Sequence, residues 1–316
     1  MNNAQDNRNH QKISIARLSI ISNTTLIVLK LVIGLLISSI SVISEAVHSA
    51  IDLIAALIAY FSVRKSAQPP DDSHKFGHGK IEDISGGIEA LLIFIAAIFI
   101  IYVAVERLYT GSQIETEAPG IAVMAFSAIL NFFVSQKLLK VAKETDSIAL
   151  EADGWHLRTD VYTSLGVFLG LLLIAITGLK ILDPIFAILV ALFIIKAAYD
   201  LTKRSVYDLM DYRLSDEDEL KISAILAEHT SQFLEFHKLR TRKSGSDKFV
   251  DLHLVVSKKL SLDEAHELCH HLEADLKKAF PTMSVVIHVE PCGTNGISCT
   301  FKCDEKKCTF KCREIR

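Results

Sequence analysis

Between Ile13 and about Leu201 the chain is a succession of long apolar blocks divided by short polar stretches; beyond that it alternates apolar and polar residues in short runs. Six blocks, near 14–37, 42–63, 84–108, 118–139, 148–177 and 182–201, each hold the roughly 17–25 mostly apolar residues that a helix needs to cross hydrocarbon. The pattern predicts a six-helix transmembrane bundle over 13–205, preceded by a polar tail at 1–12. After a connector from Lys203 to Asp211 the periodicity changes to that of a small α+β domain, 206–292, in the order αββαβ. Its predicted elements are helix 216–229, strands 235–243 and 248–257, helix 262–280 and strand 283–290. Ser215 with Asp218, and Ser261 with Glu264, have the spacing of capping boxes at the two helix starts. Residues 293–316 form a cysteine-rich tail in which Cys-Thr-Phe-Lys-Cys occurs twice.

Composition supports this division, since 50% hydrophobic residues beside 22% charged ones means apolar and polar blocks laid side by side. A formal net charge of −3, with no aromatic-studded basic patch, argues against nucleic acid as a partner. The first twelve residues lack the order of a cleaved signal peptide, so the first span is expected to persist. Basic residues gather in alternate connections: Arg8, Lys12 and Arg17, then Arg64, Lys65, Lys75 and Lys80, then Lys137, Lys140 and Lys143. The intervening loops carry only Arg107 and Lys180. By the positive-inside rule, both termini face the cytoplasm of a multi-pass inner or plasma membrane protein. The tail cysteines would then lie in a reducing compartment, as thiols or thiolate ligands rather than disulfides.

Ionisable residues inside spans are the strongest chemical signal. The second span carries Glu45, His48 and Asp52; the fifth opens with Asp153, His156 and Asp160. Lipid contact would be costly for all of them, so they are expected to face the bundle interior. His48 with Asp52, and His156 with Asp160, are each four residues apart and so project from one helix face. Two such faces opposed supply two nitrogens and two oxygens, a set suited to tetrahedral zinc and poor for magnesium or calcium. Either pair alone could serve as a hydrogen-bonded helix clamp; the duplicated spacing favours a metal site. Placed within the membrane, such a site predicts transport, and the histidines predict exchange of the metal for protons.

Three stretches together resemble the cation diffusion facilitators, especially bacterial zinc/iron-type exporters. They are Ser44-Glu-Ala-Val-His-Ser-Ala-Ile-Asp52, Asp71-Asp-Ser-His-Lys-Phe-Gly-His-Gly-Lys80 and Asp153-Gly-Trp-His-Leu-Arg-Thr-Asp160. The resemblance implies a homodimer with six spans per protomer, a cytoplasmic metallochaperone-like domain, and proton-coupled zinc efflux by alternating access. It implies His48, Asp52, His156 and Asp160 as the transport site, and the two-histidine version resembles zinc-selective members. In the loop, Asp71, His74 and His78 read as a solvent-accessible two-histidine, one-carboxylate metal site, with a charged linker as the alternative. Lys80 and Asp211 look like the family's charge pair joining the membrane and cytoplasmic parts of the dimer.

His237, His253, His266, His288 and Glu290 match the family's cytoplasmic binuclear site, where zinc also has a structural role, with Glu290 in place of the more familiar Asp. On their own these would read as solvated sheet residues. His270 and His271 are expected to be solvated, because Leu268, Leu272 and Leu276 define the buried stripe of that helix. The tail thiols Cys299, Cys303, Cys308 and Cys312 could wrap one soft cation, or belong to an inert or redox-active segment. The rival readings are export of iron, cadmium or manganese, and a membrane-bound metal sensor that moves no ion. Manganese would favour oxygen ligands over two histidines. Enzyme activity is not expected, because four protein ligands at the intramembrane site leave no open position for a catalytic water.

Overall fold

A computed structural model of the chain describes residues 2–36, 40–110, 118–177, 179, 181–292, 303–304 and 307–308. From Asp6 onward the chain divides between Met210 and Asp211 into two compact units.

The first unit is all helical: α1 (Asn2–Leu36), α2 (Ile40–Ser66), α3 (Lys80–Thr110), α4 (Ala118–Thr145), α5 (Ile148–Thr177) and α6 (Leu182–Leu209). All six are long and apolar enough to cross a membrane. Many of their large side chains, such as Phe99, Phe133, Phe168 and Ile176, point outward and exposed, as a lipid-facing surface requires. Small residues line the inner contacts, among them Ala55, Ala56 and Ala59 on α2 and Ala90 and Ala97 on α3, all essentially buried. Two glycines permit unusually close helix approach. A Cβ at Gly154 of α5 would stand 2.9 Å from the Leu139 side chain of α4, and one at Gly87 of α3 would stand 2.7 Å from Ser205 Oγ of α6.

Two helices outrun the apolar blocks. α1 begins at Asn2, so the polar segment 2–12 is helical, held where Arg8 donates to the Glu144 carbonyl and Gln11 to the Glu144 carboxylate. α6 continues through the expected connector to Leu209: Arg204 bonds Glu151 at 2.6 Å and Asp146 at 3.3 Å, and Ser205 donates to the Asp83 carbonyl. Polar partners inside the bundle thus extend helices that hydropathy alone would end.

A buried polar knot ties four segments of this unit together. Lys12 Nζ of α1 reaches Glu82 Oε1 of α3 at 2.6 Å, both side chains almost fully buried. Ser66 of α2 donates to the same oxygen at 2.5 Å, and Ser147, just before α5, donates to Oε2.

The second unit contains α7 (Asp216–Glu228), β1 (Glu235–Ser244), β2 (Asp247–Val256), α8 (Leu262–Ala279) and β3 (Met283–Pro291). The αββαβ order is as expected. Strand order is β1-β2-β3, with β1 and β2 antiparallel and β2 and β3 parallel, α8 providing the crossover. Gly245, at φ +57°, opens the tight β1–β2 turn. Leu268, Leu272 and Leu276 of α8 pack with Ile222 and Leu226 of α7 and Val250, Leu252 and Leu254 of β2 to form the core. His270 and His271 are exposed on the opposite face, as the leucine stripe requires.

Of the two expected capping boxes, one is complete. Ser261 accepts from the Glu264 N–H, and Glu264 accepts from the Ser261 N–H at 2.8 Å, which holds its carboxyl below the ordinary range. At α7, Ser215 accepts from the Asp218 N–H, but the Asp218 carboxylate is taken by Lys248 Nζ of β2 at 2.6 Å. The cross-strand cation outcompetes the reciprocal cap. Further along the chain, β4 (Cys303–Asp304) and β5 (Lys307–Cys308) pair antiparallel with Cys303 opposite Cys308. Cys299 and Cys312 lie outside the described residues.

Candidate metal centres

Asp52 is the hub of the intramembrane residues. Its side chain is 5% exposed, and His156 Nε2 of α5 donates to its Oδ1 at 3.1 Å. His48, one turn before Asp52 on α2, places Nε2 3.9 Å from the same oxygen. Donor atoms of His48, Asp52 and Asp160 all lie within 4.8 Å of one another. Tetrahedral zinc ligands at about 2.0–2.1 Å from the ion stand roughly 3.3 Å apart, so small side-chain rotations would gather this set on one ion. His156 Nδ1 is buried and has no hydrogen-bond partner among the described residues. The α2 and α5 pairs therefore face each other with Asp52 shared between them.

His48, Asp52 and Asp160 border a cavity of about 200 Å³ whose lining also includes Lys30, Glu45 and Asn131; His156 touches Asp52 from outside that lining. Asp153, also picked out in the sequence, is fully buried with both carboxylate oxygens unpartnered among the described residues. It does not line the cavity. Lys30 and Asn131 were not singled out in the sequence. A lysine within an apolar block was a readable signal for Lys30, whereas nothing in the local pattern separates Asn131 from other polar span residues.

The loop residues form a second cluster. Asp71 Oδ1 accepts from the backbone N–H groups of His74 at 2.7 Å and Ser73 at 2.9 Å, a tight Asx turn after Pro69-Pro70. These bonds, that of His74 first, hold the Asp71 carboxyl below its ordinary range. His74 Nδ1 lies 3.2 Å from Asp71 Oδ1 and His78 Nε2 3.1 Å from Oδ2, with the two rings 4.5 Å apart. Although His78 is close to Asp71, neither of its ring nitrogens attains hydrogen-bond geometry, and its side chain is 1% exposed. A buried imidazole that faces a carboxylate without a hydrogen bond on either nitrogen is compatible with a metal ligand.

The sheet builds the third cluster. β-pairing sets His237 opposite His253 and His253 opposite His288, a row of imidazoles across three strands with ring separations of 5.4 and 4.7 Å. A bulge between His237 and Arg240, with Lys238 at φ +51°, brings His237 into that row. Glu290, two residues beyond His288, accepts from His253 Nδ1 at 2.6 Å and lies 3.4 Å from His237 Nε2. The bond from His253 is the main reason its carboxyl is held below the ordinary range. Donor atoms of His237, His253 and Glu290 gather within 4.8 Å; His288 Nε2 is 3.8 Å from Glu290. His266, exposed on the first turns of α8, is not part of this gathered set. Lys80 Nζ donates to the Leu209 carbonyl within the helical unit, and Asp211 pairs with Arg242 at 3.3 Å within the other.

Comparison with known proteins agrees with this architecture. Residues 16–210 match the family model of the cation efflux transmembrane domain, and 214–292 match that of the cation efflux protein, cytoplasmic domain. An uncharacterized transporter of Synechocystis is 35% identical over 253 residues, covering 80% of this chain and 82% of its own length. The cation-efflux pump FieF of Shewanella oneidensis is 31% identical over 276 residues, covering 87% and 93%. The solved metal-bound C-terminal domain of the CzcD transporter from Thermotoga maritima is 29% identical, covering 25% of this chain and 92% of that one, with a TM-score of 0.24. The chain belongs to the cation efflux family, the cation diffusion facilitators: it is a multi-pass membrane transporter of divalent metal cations and not an enzyme.

Proposed function

We propose that this protein exports zinc in exchange for protons, working as a homodimer with both termini in the cytoplasm. The observation that carries the reading is the convergence of His48, His156 and Asp160 on Asp52. Two imidazoles and two carboxylates favour a borderline-soft ion of tetrahedral habit over manganese or magnesium. Imidazole and metal compete for the same lone pair, so a proton entering His48 or His156 weakens the hold on zinc, and zinc arrival expels the proton. The His156 Nε2–Asp52 contact supports this, because the donor position that pairs with Asp52 is the one that zinc would take.

In the second unit, His237, His253 and Glu290 are proposed to hold zinc, with His288 beside them. The three-strand row of imidazoles, with His237 Nδ1 lacking a hydrogen bond though 3.4 Å from Glu235, fits that role. Bound there, zinc would pair with the Glu290 carboxylate and take the imidazole nitrogens that now face it. The homodimer follows from the family's cytoplasmic domain, and the basic loops support the orientation.

Proteoliposome flux with zinc, cadmium, iron and manganese under an imposed pH gradient tests the proposal. Zinc movement that accelerates with the gradient and moves protons the other way is expected. Zinc flux indifferent to the gradient removes the antiport, and binding without flux removes transport.

A further inference from the structure

Lys30 of α1 stands inside the cation cavity, where a fixed positive charge opposes the cargo. Its side chain is 6% exposed, and Nζ donates to Ser49 Oγ at 2.8 Å and to Glu45 Oε2 at 3.3 Å. It borders the same cavity as His48, Asp52 and Asp160. A buried ammonium within an apolar span is costly, so its presence calls for a compensating role.

The charges around it supply one. Glu45, Asp52 and Asp160 are the carboxylates bordering the cavity, and Lys30 is the one ammonium among the described lining residues. With the imidazoles neutral, as metal ligation requires, three negative charges and one positive leave two negative, the amount a single divalent cation cancels. Glu45 also lies three residues before His48, on the same helix face, where its carboxylate could reach the cargo if nothing held it. The ammonium holds it.

We propose that Lys30 is a tethered counter-cation that withholds Glu45 from the cargo and sets the cavity charge to match one divalent ion. It is a specificity-determining residue, and the inference rests on the export reading above. Without it the cavity would carry a third negative charge and a spare oxygen donor, so the ion would enter tightly and leave slowly. With it, capture and release remain balanced.

The test is zinc flux in proteoliposomes for Lys30→Met, Glu45→Gln, the double variant and Lys30→Arg, reading KM and turnover separately. Lys30→Met should lower KM by about tenfold or more and slow turnover, because one unscreened charge at this range is worth at least that factor. Glu45→Gln should raise KM by about tenfold, and the double variant, whose charge count returns to that of the wild type, should fall within about threefold of it. Lys30→Arg should keep a KM close to the wild type. A Lys30–Glu45 pair that merely clamps α1 to α2 would make both single variants and the double lose flux alike, and that result overturns the proposal. Should Lys30→Met fail to fold, Glu45→Gln decides: an unchanged or lowered KM overturns it. Asp52→Ala, run beside these, separates the two readings. Flux retained in Asp52→Ala sinks the site assignment, whereas flux lost there with no charge ordering in the other variants sinks only the role of Lys30.

Discussion

His156 Nε2 and Asp52 Oδ1, on different helices and 104 residues apart in sequence, lie 3.1 Å from one another with both side chains buried. One carboxylate therefore answers to donors on two helices, and its loss should be felt by both. Asp52→Ala, and equally Asp52→Asn, should reduce zinc flux by at least about a hundredfold, since even partners outside a metal's immediate ligands commonly cost 10–100-fold. Initial rates of zinc uptake into vesicles, at protein levels matched by immunoblot, check this.

The Lys12–Glu82 pair should matter to stability more than its polar character suggests. Lys12→Met leaves Glu82 buried with only hydroxyl donors and should destabilise the helical unit by about 3–5 kcal/mol. Adding Glu82→Gln should recover much of that, because the cost lies in the unpaired charge. Thermal unfolding in detergent, followed for the two single variants and the double, gives the comparison.

Glu290 predicts a pH dependence in the sheet unit. Its carboxyl is held below the ordinary range chiefly by the bond from His253, so the folded state binds its proton less readily than the unfolded chain does. That contribution is fully present above the ordinary carboxylate range, about 4.3 for Glu, and is lost as pH falls through the lowered folded value. Denaturation of chelator-treated protein should therefore show stability falling as pH drops below about 5, with a shallower fall in Glu290→Gln. A parallel fall in both proteins would remove Glu290 from the explanation.

The two helix caps should respond unequally. Ser261→Ala removes a complete capping box and should cost about 1 kcal/mol. Ser215→Ala should cost less than Ser261→Ala, because the Asp218 carboxylate remains engaged by Lys248. Hydrogen exchange at the first turns of α7 and α8 would read each end separately.

Much of the architecture was legible because two simple signals dominate it. Hydrocarbon thickness marks six blocks, and the period-two and period-3.6 patterns after Asp211 mark the αββαβ unit. The extensions of α1 and α6 were hidden, since hydropathy is blind to polar side chains that find partners inside the bundle, as Lys12, Arg204 and Ser205 do. The spacings of His48 with Asp52 and His156 with Asp160 announced the intramembrane cluster because four residues make one turn. The sheet cluster was harder to read: His237 joins His253 only through a bulge, and strand register is set by cross-strand contacts that a single segment does not contain. His266 shows the converse, a residue suggested by resemblance that its position on α8 leaves apart from the gathered donors. Lys30 carries no ligand signal in the sequence, because an ammonium cannot coordinate a metal while charged.

Gly154 sits between Asp153 and the two α5 donors, and its missing side chain is filled by Leu138 and Leu139 of α4. With so little space between them, neither helix can slide along the other without driving backbone into a leucine. The same close seam carries His156 and Asp160 within the next two turns of α5, so the support of both donors begins at a residue without a side chain. An alanine at 154 would press its Cβ against the Leu139 side chain, which would have to turn aside for α4 and α5 to keep their spacing, while every donor atom stayed chemically intact.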